Sequence, residues 1–489
     1  MCILLALVLA CRALAHWALP LGEDAFISFR YARNLAQGSG LVYNPGEPWE
    51  PVLGAASAGY SALLGVFLRL GLTPERVSLA LGLSCALASA WFLLELLERR
   101  RVGSTLALLC FALLPRLGML DAAGGEGPLF TALALGAVLA LQRDHARISG
   151  LLGVLATLVR PEGALLILLL GWSARASRPT LRRFTLPVAI LGALSLVGVV
   201  YTYGDLIPHS LRSALGSAHD TRAAGWRGEL QFVIEVSREA FVPHALLLVA
   251  LPLVLLGAWR SLGRKGAPRT LSLFVLGMSA CFLLARVHPW SWRLQLPLCV
   301  WCLWLAEGAQ ALIARWGSRI PSDALALVRE RAVVFGAPLL LLAYGSVAAT
   351  EREHVTERVY APLQEWARSI GRVSPRARIL AADIGALGWA WSGTVFDCAG
   401  RTWPLASQYT QPNRMARDLR PEYLLLAVDS HCIGHFYSDA DLRARYVPIA
   451  RFSPSGAQEL ELDPRALAQS CGSDFLVFRR RDLADGFSN

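Results

Sequence analysis

The sequence predicts an α-helical polytopic membrane protein with a C-terminal α/β domain outside the membrane. Three observations predict it. Apolar runs of about 16–20 residues, long enough to cross a ~30 Å hydrocarbon core, recur up to residue 350. Arginines cluster in the short loops between those runs, as the positive-inside rule expects. After Glu351 the chain becomes charged and rich in turns, with no further span. Composition agrees, with 55% of the 489 residues hydrophobic and 17% charged. The formal charge of +11 is the sum of those loop arginines, which excludes a nucleic-acid patch as its cause.

The elements follow in order. Segment 2–21 carries Arg12 mid-run, lacks a charged n-region and has no convincing cleavage site, so a retained first span is preferred over a signal peptide. The first outer loop runs over 22–77. Within it, 55–71 either spans or lies in the interface. The second choice keeps Arg99, Arg100 and Arg101 inside and is favoured. Spans follow at 78–97, 104–120 and 128–142. Segment 148–173 reads as a hairpin of two short helices turning at Arg160-Pro161-Glu162-Gly163, because one long helix would put Arg175, Arg178, Arg182 and Arg183 outside. Spans at 184–203, 241–258, 270–285, 294–314 and 332–350 complete about eleven crossings, with the N-terminus inside. Domain 1–350 is thus transmembrane and 351–489 extracytoplasmic. In the latter, ARILAADIG, TVFDCAG, YLLLAV, YVPIARF and FLVFRR read as short buried strands among helices.

Charge at membrane depth is a functional hypothesis by default. Outer-side clusters are Glu23 with Asp24, Glu126, Arg160 with Glu162, Asp205 with His209, and His288 with Arg293. Each has a plain structural reading as well. Glu23 and Asp24 cap a helix, Arg160 and Glu162 staple the hairpin, Glu126 caps the helix that starts at Pro128, and Tyr203-Gly204-Asp205 ends one. Residues FISFRYARNL space Phe26, Phe29 or Arg30, Arg33 and Leu35 as a short helix in the membrane interface. No P-loop, H-E-x-x-H, GxSxG or G-x-G-x-x-G is present.

From Glu23 through Asn44-Pro45-Gly46-Glu47 the chain resembles the first outer loop of polyprenyl-phosphate-sugar-dependent glycosyltransferases of the GT-C superfamily, most closely the arabinofuranosyltransferase-like branch. Matching positions are Asp24, Ile27, Arg30, Tyr31, Asn34, Gly38, Gly40, Leu41, Val42, Asn44, Pro45, Gly46, Glu47 and Glu50. Glu23 replaces the first acid of the family's pair, and Pro51-Val52-Leu53 replaces G-Y-T. Further patches are similar too. Gly125-Glu126 resembles G-[ML]-E-T, Arg160-Pro161-Glu162-Gly163 R-P-E-G, and Tyr203 to Pro208 Y-Y-G-D-x-x-P. Arg293 and Pro297 resemble R-x-x-x-P, with Val287 where an acid is usual. Asp383-Ile-Gly385-Ala386 resembles D-a-G-a, and Asp397-Cys-Ala-Gly400 D-x-x-G-L.

The resemblance implies a membrane glycosyltransferase that moves a sugar from a polyprenyl-phosphate donor to an acceptor hydroxyl of an extracytoplasmic glycan, lipid or protein at the cell membrane. That chemistry needs a carboxylate to accept the acceptor's proton and cations to stabilise the departing phosphate. Asp24 suits the first role, with Glu23 supporting it. Arg160 and Arg293 suit the second, with Arg30 and Arg33 in reserve. Glu50, Glu126, Glu162, Asp205, His209 and His288 are the further substrate-binding candidates. A divalent cation, Mg or Mn, could assist through the acids, though no spacing demands one and its ligands are unknown. Two rivals stand: a transporter or flippase using the membrane acids, and an inactive scaffold descended from such transferases.

Overall fold

A computed structural model describes residues 2–19, 21–46, 54, 57–97, 102–205, 245–285, 294–316, 359–381, 383–403, 405–406, 409, 412–427, 439–453, 456–459 and 475–483. In chain order the first helices are α1 (Cys2–Ala18), α2 (Glu23–Ala36), α3 (Ala58–Arg69), α4 (Pro74–Leu96), α5 (Val102–Leu113), α6 (Pro115–Ala122), α7 (Gly127–Gln142), α8 (Ala146–Val159), α9 (Gly163–Ala174) and α10 (Arg178–Tyr203). Then come α11 (Ala245–Gly263), α12 (Ala267–Ala285), α13 (Gln295–Trp316) and α14 (Ala361–Val373). The remainder mixes strands and helices: β1 (Ile379–Ala381), α15 (Gly385–Ala390), β2 (Val395–Asp397), α16 (Pro412–Leu419), β3 (Tyr423–Ala427), α17 (Ala440–Arg445), β4 (Tyr446–Ser453), β5 (Gly456–Glu459) and β6 (Phe475–Arg480).

The chain divides into two compact units. One comprises the described parts of Met1–Leu19, Glu75–Gly204 and Ala214–Ala348, the other those of Pro20–Pro74, Asp205–Ser213 and Ala349–Asn489. The sequence puts loop 22–77 in the transmembrane domain 1–350. The packing groups 20–74 with the C-terminal residues instead.

The first unit is helical. Among the described residues, Pro74–Leu96, Arg178–Tyr203 and Gln295–Arg315 are long and apolar enough to cross a membrane, and the bent pair α5–α6 makes a fourth if counted as one span. At about 1.5 Å per residue, α10 alone reaches about 39 Å. Its Leu186, Ile190, Leu194, Val197 and Tyr201 are all exposed. An apolar stripe of that extent is stable when lipid, not water, covers it.

Span 104–120, expected as one helix, is broken. Leu114 is extended, and the chain bends by 57° between α5 and α6. Pro115 is the cause: it donates no N–H and drives the preceding residue out of the helical region. The break leaves carbonyls at the end of α5 without helical partners. Arg12 of α1, 1% exposed, donates to those of Phe111 and Ala112 at 2.6 and 3.2 Å. Its charge meets Asp121 of α6 at 2.5 Å, and the Gln295 side chain donates to the same carboxylate. The hairpin expected at 160–163 is a turn between α8 and α9, closed by the Gly163 N–H donating to the Arg160 carbonyl at 2.9 Å.

The second unit is built on a six-stranded sheet of order β2-β1-β3-β6-β4-β5. β1 runs parallel to β2 and β3, and the β3–β6, β6–β4 and β4–β5 pairs are antiparallel. Both faces are covered, which is why β1 and β3 read as unbroken apolar runs. On one face Ile379, Ala381, Leu425 and Val477 pack with Leu363, Ala367, Trp391 and, from α2, Ile27 and Tyr31. On the other, Leu380, Phe396, Leu424 and Leu476 pack with Trp403, Met415 and Leu442. All five sequence-read strands are present. β5 was not read, because GAQE carries no apolar run and forms only as the hairpin partner of β4.

FISFRYARNL is helical, as its spacing predicts. It does not present its aromatics to an interface: Phe26, Ile27, Phe29, Arg30 and Tyr31 are buried in this unit. α3, the 12-residue core of 55–71, covers about 18 Å. Its Gly65 lies against the Ala32 carbonyl and the Leu35 side chain of α2.

Candidate active site

α2 opens with Glu23 and Asp24 in its first turn, where the positive end of the helix dipole favours anions. Adjacent residues lie about 100° apart around a helix, and the two acids meet different surroundings. The Glu23 carboxylate accepts the N–H groups of Gly385 and Ala386 at 2.5 and 3.0 Å, so it caps α15. Only glycine fits at 385, since a Cβ there would lie 2.0 Å from the Glu23 carbonyl oxygen. Burial and the neighbouring Asp383 push the Glu23 carboxyl up from 4.5 to about 7, against the two amides and Arg401. The Asp24 side chain is 52% exposed, with an Arg401 guanidinium nitrogen 3.8 Å from its Oδ1.

Arg401 is the residue that sequence reasoning missed. It directly follows Asp397-Cys-Ala-Gly400, where the resembled pattern has leucine, and that position is its only signal in the sequence. Its Nε lies 3.9 Å from the fully buried Asp397 carboxylate. That carboxylate also accepts the N–H groups of Ala399 and Thr402 at 3.0 and 2.8 Å. Burial opposes the charge on Arg401, but Asp397, Asp24, Asp383 and Glu23 outweigh burial and hold its pKa above the ordinary arginine value.

Arg30 and Arg33, the reserve phosphate ligands, are committed to the fold. Arg30 is 2% exposed, and all five of its N–H groups have acceptors. Nε donates to the Tyr43 carbonyl at 2.8 Å. One terminal nitrogen donates to the Gly388 and Trp391 carbonyls, the other to the Gly393 carbonyl and Asn44 Oδ1. The guanidinium also stacks on the Tyr43 ring. Arg33 donates to the Trp389 carbonyl at 2.8 Å and lies over its ring, and burial together with Arg30 lowers it to about 10. Asn44 exchanges both of its amide functions with the Val395 backbone, at 3.1 and 2.9 Å, and Asn34 donates to the Val42 and Tyr43 carbonyls. Arg30, Asn34 and Asn44, three of the residues that carry the N-terminal resemblance, therefore build the dock between α2, α15 and β2.

In the first unit, Arg160, Glu162 and Glu126 come together. The Arg160 guanidinium meets Glu162 at 3.0 and 3.4 Å and Glu126 at 3.8 Å, over the Phe130 ring. Two carboxylates on one guanidinium leave the group net negative, so an incoming phosphate would have to displace them. Asp205 follows Gly204, the left-handed residue that ends α10. Glu50, His209, His288 and Arg293 lie outside the described residues. Among the described residues no group of three or more His, Cys, Asp or Glu side chains is placed to hold a metal ion.

No protein-family model and no curated protein matches the chain. Among solved structures it is similar to the cryo-EM structure of the arabinofuranosyltransferase AftD from Mycobacteria, at 16% identity and a TM-score of 0.49, covering 97% of this chain and 39% of that one. It is also similar to a point mutant of AftD, at 17% identity and a TM-score of 0.46, covering 97% and 41%. The chain thus spans about two-fifths of those structures. At that level the likeness is coarse and assigns no residue of this chain a role.

Proposed function

We propose that this protein is a membrane glycosyltransferase, with Asp24 as its general base. One observation carries the reading. In helix α2 the side chains of Glu23, Arg30, Arg33 and Asn34 hold the fold, while the Asp24 carboxylate is exposed. The donor is a polyprenyl-phosphate sugar and the acceptor an extracytoplasmic hydroxyl. The hydroxyl oxygen bonds to the anomeric carbon, the bond from that carbon to the phosphate oxygen breaks, polyprenyl phosphate leaves, and Asp24 takes the hydroxyl proton. The leaving phosphate requires a cation. Arg293, which lies outside the described residues, is the candidate that the motif resemblance offers for it.

The transporter reading leans on charges within spans. The buried pair Arg12–Asp121 has a structural task there, holding the break at Pro115. The scaffold reading leans on Glu23, Pro51 and Val287; of these, Pro51 and Val287 lie outside the described residues, and the longer side chain at 23 is the one that reaches the α15 amides. A transfer assay on purified protein with polyprenyl-phosphate sugars separates the three. Asp24→Asn is expected to lower turnover ~10²–10⁴-fold, and absence of transfer by the wild type across such donors would overturn the reading.

A further inference from the structure

We propose that Arg401 is a positioning residue for Asp24, holding the carboxylate of the base in one orientation toward the acceptor hydroxyl. This rests on Asp24 being the base.

The mounting of Arg401 supports it. Asp397, buried at the end of β2, accepts the N–H groups of Ala399 and Thr402, which fixes the backbone on both sides of residue 401. From the other direction Gly54 packs onto it: a Cβ at 54 would lie 2.5 Å from the Arg401 carbonyl oxygen and 2.8 Å from Thr402. The Gly54 N–H is in turn held by the Tyr31 hydroxyl of α2 at 3.0 Å. The backbone of Arg401 is therefore tied to the helix that carries Asp24. Its guanidinium lies between two carboxylates, 3.9 Å from Asp397 and 3.8 Å from Asp24. Asp397 is the buried anchor and Asp24 the exposed end.

The facing charges are four acids and one cation: Glu23, Asp24, Asp383 and Asp397 around Arg401. Glu23 and Asp397 have main-chain partners, whereas the Asp24 carboxylate faces the Arg401 side chain. Without Arg401, like charge would drive the Asp24 carboxylate away from Asp397 and Asp383, and a misplaced base costs rate more than binding.

The test uses the full chain in a transfer assay with a polyprenyl-phosphate sugar, together with thermal melting. Arg401→Leu is expected to lower kcat ~10- to 100-fold with the donor KM unchanged. Arg401→Lys is expected to recover part of that loss. In an Asp24→Asn background, Arg401→Leu is expected to cost nothing further, because the group it positions is gone. Should Arg401→Leu fail to fold, Arg401→Gln carries the same comparison. Wild-type kcat in a folded Arg401→Leu or Arg401→Gln variant overturns the proposal, and so does an equal fold-loss in the Asp24→Asn background. Normal turnover by Asp24→Asn itself overturns the base assignment instead, whatever Arg401 does.

Discussion

Two arginine–aspartate pairs, one in each unit, differ in nearly every respect. Arg12 and Asp121 are 1% and 2% exposed and 2.5 Å apart, and their remaining polar atoms meet the α5 carbonyls and Gln295. Arg401 and Asp24 are 27% and 52% exposed and 3.8 Å apart. A buried pair is costly to break, because the charge left behind has no water. An exposed pair at that distance adds little stability. Burial separates Arg12 and Asp121, which hold the first unit, from Asp24, whose carboxylate reaches solvent.

That contrast fails first if Asp121 is dispensable. Asp121→Ala strands Arg12 in an apolar interior and is expected to cost about 3–5 kcal/mol. It would be seen as a large fall in melting temperature or loss of folded protein in detergent. A fall no larger than that of Asp24→Asn would erase the distinction.

Arg30 sharpens it within the second unit. Arg30→Lys keeps the charge but loses the planar fork that satisfies several carbonyls at once. An expected loss of about 2–4 kcal/mol follows from charged hydrogen bonds of ~1.5–3 kcal/mol each. Donor KM should be unchanged in the protein that remains folded. A raised KM with normal melting would return Arg30 to the phosphate-binding role.

Glu23 gives an effect that depends on pH. A carboxyl raised from 4.5 to about 7 by folding takes up a proton when the chain folds. The associated stability is full below pH 4.5 and is lost as pH rises through about 7. Glu23→Gln cannot ionise, so its melting temperature is expected to vary less than that of the wild type between pH 4.5 and 7. Parallel profiles would contradict the buried-cap account.

Much of this was legible from residues alone. Period-2 and continuous apolar runs located five strands, because both sheet faces are covered. The Arg160–Gly163 turn followed from arginine sidedness. Other features were hidden for physical reasons. Pro115 sits in an apolar run whose hydropathy masks the break, and the remedy, Arg12, is about 100 residues away. The motif marked Arg30 and Asp24 alike, since a pattern match does not tell a fully bonded guanidinium from an exposed carboxylate. Arg401 reaches Asp24 across more than 370 residues with no local pattern, and only the three-dimensional contact reveals it.

The most direct test is Asp24→Asn, read by sugar transfer and melting on the same purified sample. A turnover loss of ~10²–10⁴-fold, with stability within the ±0.5 kcal/mol usual for surface substitutions, is the result expected. Near-normal turnover would contradict the assignment of Asp24, and a matching collapse in stability would place Asp24 with Arg12 and Asp121 among the charges that hold the fold.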